Sequence, residues 1–295
     1  MDRQILIAVI GDVHDRWEEE DNQALVHLGV DLAIFVGDFG NESIEIVSLI
    51  AKLDIPKAVI LGNHDAWYTA TPWGQKKAPY DRTKEDRVQR QLDILGASHI
   101  GYGKLDFPEF NLSLVGGRPF SWGGSEWKNT DFYHNLFGVS NFEESSAKML
   151  AQVKQTKYDN LIFVGHNGPF GLGDQPEDTC GKDWSPLGGD HGDPDLAAAI
   201  EQTLEYGKTV SLVTFGHMHH QLRHRNDRLR TIINKNSQGT VYFNAASVPR
   251  IIESTNGKER NFSLVTFQNN LVSKCSLIWL KDNFEIVSEK VLYSV

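Results

Sequence analysis

The chain has 295 residues, 40% hydrophobic and 23% charged, with 29 Lys and Arg against 39 Asp and Glu for a formal net charge of −10. That length can bury one large core, while the acidic balance argues against a long nucleic acid as partner, because a polyanion is held by clustered cations. The one basic stretch, "RHRNDRLR" at 223–230, reads as a solvated hairpin, and no apolar run is long enough to span a bilayer.

In chain order, Ile5-Leu6-Ile7-Ala8-Val9-Ile10 opens as an apolar strand, which leaves no room for a signal peptide and sets a cytoplasmic location as the expectation. It runs into Gly11-Asp12-Val13-His14, and a helix is expected near 17–28. A second apolar strand, 32–36, meets Gly37-Asp38 and is followed by a helix at 42–53. The third, 57–61, meets Gly62-Asn63-His64-Asp65. A Pro/Gly-rich loop at 70–80 precedes a helix at 83–95, for which Thr83 is placed as a cap and Asp86 suits the positive end of the dipole. A strand at 111–116 leads to Arg118 among glycines, and a helix follows at 143–156.

Leu161-Ile162-Phe163-Val164 then meets Gly165-His166, and the long loop 165–194 ends in Asp193-Pro194, an N-cap and first-turn proline for a helix at 195–206. Ser211-Leu212-Val213-Thr214-Phe215 runs into Gly216-His217-Met218-His219. Further strands are expected at 229–234 and 240–245, then a β meander beyond 261 with Lys281-Asp282-Asn283 as a turn. Nothing divides the chain, so a single domain over 1–295 is expected, with 70–80 and 165–194 as active-site loops rather than linkers. Cys180 and Cys275 are expected as free thiols.

Five times, then, an apolar strand meets a glycine and the next residue or two is Asp, Asn or His. Near-continuous apolar strands suit sheets covered on both faces, and ligands gather outside the carboxyl ends of such strands. The glycine lets backbone turn sharply or approach a ligand closely. Asp12 and His14 are two apart, as are His217 and His219, so in extended backbone each pair would aim at one location. Imidazole mixed with carboxylate and amide oxygen, without thiolate, suits Mn, Fe, Zn or Co better than Mg or Ca. Asp12, His14, Asp38, Asn63, His166, His217 and His219 are too many donors for one tetrahedral ion and suit two ions sharing a carboxylate. His27, His99, His134, His191, His220 and His224 read as surface or hydrogen-bonded core residues, His191 being the least secure of them.

"GDVH", "GD" at 37–38, "GNHD", "GHNGP" and "GHMHH" occur in the order of the calcineurin-like metallophosphoesterases, which the whole chain resembles. "VYFNAASVPR" is similar to that family's strand ending in Asn-x-Gly-Ser, although Ala246 stands where glycine is usual. The resemblance implies an α/β fold, a four-layer α/β/β/α sandwich of two mixed sheets packed face to face with flanking helices. It assigns Asp12, His14 and His219 to one metal, Asn63, His166 and His217 to a second, and Asp38 to the bridge. His64 would protonate the leaving oxygen, with Asp65 orienting it. Two divalent ions, Mn, Fe or Zn, would acidify a bound water and clamp the charge developing on phosphorus oxygens, giving hydrolysis of a phosphate ester.

Substrate class is less sharply marked. Protein phosphatases of this superfamily carry "GDxVDRG" and "GNHE", whereas here Asp38 is followed by "FGNES" and the third motif is "GNHD". Loss of that phosphate-gripping arginine tilts the reading toward phosphodiesters, since a monoester dianion gains more from guanidinium clamps. Arg16 and Arg118 are the candidates to replace it, each with a surface or structural ion pair as the alternative. Trp17, Trp67, Tyr68, Trp73, Phe120 and Trp122 could stack a base or simply pack. "GNHD" and the complete donor set also resemble the class III cyclic-nucleotide phosphodiesterases, which makes a small 3′,5′-cyclic nucleotide the leading substrate. The segment 166–196, from "HNGPFGLG" to "DPDL", looks like a subgroup from photosynthetic lineages. A phosphomonoesterase remains the alternative, and a non-catalytic metal-binding scaffold the alternative of another class.

Overall fold

Strand alternation sorts the apolar runs into two sheets. The structure, a computed structural model, describes residues 4–255 and 257–295. In the first sheet β1 (Gln4–Ile10), β2 (Leu32–Phe35) and β3 (Lys57–Val59) run parallel, with Ile7 level with Leu32. Beyond β1 the sheet continues antiparallel through β11 (Gly257–Gln268), β12 (Leu271–Lys281) and β13 (Ile286–Ser294), and β10 (Ile251–Ser254) also pairs with β11. The second sheet has the order β4 (Lys104–Phe107), β5 (Leu112–Gly116), β6 (Asn160–Val164), β7 (Thr209–Phe215), β9 (Val241–Asn244), β8 (Ile233–Lys235). Its four middle strands are parallel and its two edge strands antiparallel.

Odd and even positions of β1 go to different cores. Ile5, Ile7 and Val9 join Leu32, Ile34, Leu114, Ile162, Val164 and Leu212 in the layer between the sheets. Ala8 and Ile10 face outward, with Leu25 of α1 (Glu19–His27), Ile46 and Val47 of α2 (Ile44–Ala51) and Val88 of α4 (Arg87–Leu95). On the far side Leu161, Phe163 and Val213 pack against Met149 and Val153 of α6 (Phe142–Val153) and Leu196 and Ala199 of α7 (Pro194–Glu205). The result is the expected helix, sheet, sheet, helix sandwich. Both faces of each central strand are dry, which is why these strands read as unbroken apolar runs.

Several boundaries move for local reasons. The third helix starts at Arg87 because Asp86 caps it, its carboxylate accepting from Gln89 N at 2.9 Å, while Thr83 instead donates to Asp81. The strand expected at 229–234 shrinks to β8, since Arg230 turns inward and donates to the carbonyls of Asp178 at 2.8 Å and Gly181 at 2.6 Å. Helices α3 (Pro72–Gln75) and α5 (Thr130–Phe137) and strand β4 were not anticipated, being too short to show a period. Cys180 and Cys275 are free and buried, and no described helix is long and apolar enough to cross a membrane.

Candidate metal centre

Every candidate donor sits just past the carboxyl end of a parallel strand: Asp12 and His14 after β1, Asp38 after β2, Asn63 after β3, His166 after β6, and His217 and His219 after β7. The backbone reaches this convergence by left-handed turns rather than by extension. Asp12, His14, Asp38 and His217 have φ of 52°, 47°, 56° and 66°, a region costly for residues with a Cβ and concentrated at functional sites. Gly37, at φ 98°, shows why glycine stands at the junction: a Cβ there would lie 2.5 Å from Gly62 N and 2.7 Å from His166 Nδ1.

The donors fall into two clusters around Asp38. Asp12, His14 and His219 form one group and Asp38, His166 and His217 another, each within 4.8 Å, and His14, Asp38 and His64 form a third that joins them. His14 Nε2 and His219 Nε2 face each other at 3.1 Å, and His219 Nε2 is 3.3 Å from Asp12 Oδ1. In the second group His166 Nε2 lies 3.0 Å from Asn63 Oδ1 and 3.3 Å from Asp38 Oδ1. Separations of about 3 Å are the edges of a coordination polyhedron whose ligand distances are about 2.1 Å. His166 donates Nδ1–H to the Val36 carbonyl at 2.7 Å, which leaves Nε2 as a lone-pair donor.

Two buried atoms complete the test of whether an ion fits. Among the described residues His217 Nδ1 has no hydrogen-bond partner, and Asp12 Oδ1 has only the 3.3 Å contact from His219 Nε2, although Asp12 is fully buried. Stranded buried polar atoms are costly unless something binds them, and a cation answers both. Burial, reinforced by His166, pushes His217 well below its ordinary value, so it is a neutral imidazole. Burial would raise the Asp12 carboxyl, but His219 beside it holds it well below the usual range. Asp12 as a carboxylate and His217 as a neutral imidazole are the forms that bind a divalent ion, while the Asp12 carboxylate beside His219 raises the pKa of that imidazole against its burial.

His64 stands beside this centre rather than in its Asn63 half. Its backbone N–H donates to Asp38 Oδ1 at 2.9 Å, and its ring Nδ1 meets Asn41 Oδ1 at 2.7 Å. The ring stacks on Trp67 with centroids 4.6 Å apart, and Trp67 stacks on Trp122 at 5.4 Å. Asp65 does not reach the imidazole: its carboxylate accepts three backbone N–H groups, from Gly62 at 2.7 Å and from Asp38 and Phe39 at 3.0 Å each. It holds two of the donor loops together, and Asn41 orients His64.

The arginine expectations are corrected as well. Arg118 is buried and forked onto Asp193 at 2.8 Å and Asp195 at 2.9 Å, so its guanidinium is engaged in a structural ion pair. Arg16 is exposed and donates to the Ile251 carbonyl at 3.2 Å. Of the proposed aromatic wall, Trp17 and Phe120 are core, whereas Trp67 and Trp122 line a cleft of about 380 Å³ over the donors. That cleft also holds Lys128, Trp184, His191 and Arg223, none of which the sequence marked for it. His191 Nε2 bonds to the Trp122 carbonyl at 3.0 Å, and its ring lies parallel to that of His217 at 6.1 Å. Asn244 acts behind the site, donating to the Met218 carbonyl at 2.6 Å and so fixing the turn between His217 and His219.

Known structures share this architecture. The protein TT1561 of Thermus thermophilus is similar over 99% of this chain and 100% of its own, with 10% identity and a TM-score of 0.52. A dimetal phosphatase from Danio rerio is similar over 99% of both chains, with 12% identity and a TM-score of 0.52. At such identities the likeness speaks for the fold. No curated protein matches the sequence. The model of the calcineurin-like phosphoesterases matches residues 5–221, which include every donor named above, and the chain belongs to that family.

Proposed function

We propose that this metal-dependent phosphoesterase hydrolyses a small phosphodiester, with a 3′,5′-cyclic nucleotide as the leading candidate. The observation that carries the reading is the convergence of seven donors in two clusters around Asp38, with His64 alongside. Asp12, His14 and His219 would hold one ion, Asn63, His166 and His217 the other, and Asp38 both. When bound, the two ions supply an acidified water and a clamp for charge on the phosphoryl oxygens.

The protein's own part is to place substrate and proton. The Asn41 oxygen accepts from His64 Nδ1–H, which leaves Nε2 as the ring atom that would take up a proton and pass it to the leaving oxygen, and burial lowers the pKa of that imidazole. Stacking on Trp67 limits rotation of the ring. The cleft volume fits a small ligand rather than a polymer. Arg118 is engaged by two carboxylates, so it is not the clamp a monoester dianion would use, which supports the diester reading.

The test is a reconstituted activity panel. Protein stripped with chelator is refilled with Mn²⁺, Fe²⁺, Zn²⁺ or Mg²⁺ and offered 3′,5′-cyclic nucleotides beside bis- and mono-p-nitrophenyl phosphate. Faster turnover of the diesters is expected. Cleavage of the monoester alone makes the protein a phosphomonoesterase, and stoichiometric metal without turnover makes it a scaffold.

A further inference from the structure

The cleft over the donors carries more positive charge than its own carboxylates neutralise. Its lining carboxylates are Asp38, one of the candidate metal ligands, and Asp183, which pairs with buried Arg230 at 3.2 Å. Arg223 and Lys128 remain. Neither forms a salt bridge among the described residues, and Lys128 Nζ reaches only the Gly123 carbonyl, at 3.4 Å. Arg223 is exposed and Lys128 half-buried, and in a chain with a net charge of −10 two cations without a salt bridge beside the donors favour an anionic partner.

Arg223 is also held in place. It follows the donor His219 by four residues, and its backbone N–H donates to Asp183 Oδ2 at 2.7 Å. Its guanidinium lies 5.3 Å from the centre of the Trp184 ring, a cation–π platform that leaves its N–H donors free. Asp183 is thus spent twice on structure, on Arg230 and on the Arg223 backbone, and the Arg223 head group stays unpaired. Arg223 and Lys128 line the cleft but belong to none of the donor groups, so the anion they would meet is a group other than the one held at the donors.

We propose that Arg223, supported by the charge of Lys128, is a specificity residue for a second phosphoryl group on the substrate. The preferred substrate is then a nucleotide-sized diester that carries a phosphate besides the scissile one. This rests on the phosphodiesterase reading above and narrows it. Arg223 makes the contact, because a guanidinium can grip phosphate oxygens with two parallel N–H bonds, whereas Lys128 contributes as a point charge.

The probe is the p-nitrophenyl diester of thymidine 3′-phosphate, with and without a 5′-phosphate, compared as a ratio of kcat/KM within each protein. In the native enzyme the 5′-phosphate should raise kcat/KM about tenfold, chiefly through KM, as one charge-assisted contact does. Arg223→Gln should bring the ratio to within about twofold of one, Lys128→Gln should lower it less, and Arg223→Lys should keep part of it. A native ratio near one, or one unchanged by Arg223→Gln, overturns the proposal. Calorimetry of thymidine 5′-phosphate against thymidine on chelator-treated protein separates the two readings. Binding that needs the phosphate and Arg223, without turnover of any diester, keeps this subsite and removes the hydrolase reading; turnover without 5′-phosphate preference does the reverse.

Discussion

At the scale of single residues, the site divides into atoms that hold charge and atoms that hold geometry. On the proposed reading His64 would serve proton transfer, its ring held between Asn41 and Trp67. His64→Ala should keep both ions and lose rate by roughly 10²–10⁴-fold on diesters with poor leaving groups, and far less with p-nitrophenolate. Asn41→Ala should lose about tenfold on the same substrates, because the imidazole stays but its orientation is loosened. Metal analysis beside the kinetics decides it: a His64 variant that has lost its metal would show the residue to be a ligand. His220, next in sequence to a donor, belongs to geometry. It is buried, bonds through Nε2 to the Asn244 carbonyl at 2.9 Å, and burial pushes it from 6.5 down to about 4. The unfolded chain takes up a proton near pH 6.5 and the folded one does not, so stability falls as pH drops from 6.5 toward 4, by at most about 3 kcal/mol. Urea denaturation at pH 7 and pH 5 should show a steeper loss for the native protein than for His220→Gln; equal losses would mean that His220 is charged or exposed.

At the scale of elements, the loop after β5 and the start of α7 are joined by Arg118, Asp193 and Asp195. Asp193 stands where an N-cap is expected, yet its side chain makes no cap bond and accepts instead from Arg118 and from Ser121 Oγ at 2.7 Å. Arg118→Leu leaves two carboxylates buried and unpaired, and should cost about 3–5 kcal/mol. The expected readout is a large drop in melting temperature with little change in KM. A large rise in KM in a variant of native stability would return Arg118 to the substrate. This arginine also marks the limit of what the sequence discloses. Asp12, His14, Asp38, Asn63, His166, His217 and His219 could be read because each donor follows its own strand and glycine by one to four residues, a local pattern repeated five times. Arg118 meets Asp195 across 77 positions and Arg223 meets Asp183 across 40, and no local pattern announces such partners. Thus Arg118, in a glycine loop that looks like a phosphate grip, is structural, while Arg223, in a stretch that looks solvated, lines the cleft. Asn41 was in view within "FGNES", but only the fold brings it to His64.

Over the whole molecule, the metal centre is where the two sheets meet. Asp12, His14, Asp38 and Asn63 come from the first sheet, and His166, His217 and His219 from the second. Each cluster therefore spans the interface, Asp12 and His14 with His219, and Asp38 and Asn63 with His166. The remainder of that interface is apolar side chains, which hold the sheets together by area and set no precise distance between loop ends. Without metal, His217 Nδ1 has no hydrogen-bond partner among the described residues and buried Asp12 Oδ1 has only the contact from His219 Nε2. An ion at a thousand times its dissociation constant stabilises the folded state by about 4 kcal/mol, which for a domain of this class raises the melting temperature by roughly 10 °C. Chelator should lower it by that order and should raise hydrogen exchange at the loop ends around Gly11, Gly37, Gly165 and Gly216, with the central strands staying protected. Asp38→Asn removes the shared charge, so added Mn²⁺ should restore little of the stability that the native protein regains. Full recovery in that variant would show that each ion binds within its own cluster, and Asp38 would then lose its place as the link between the sheets.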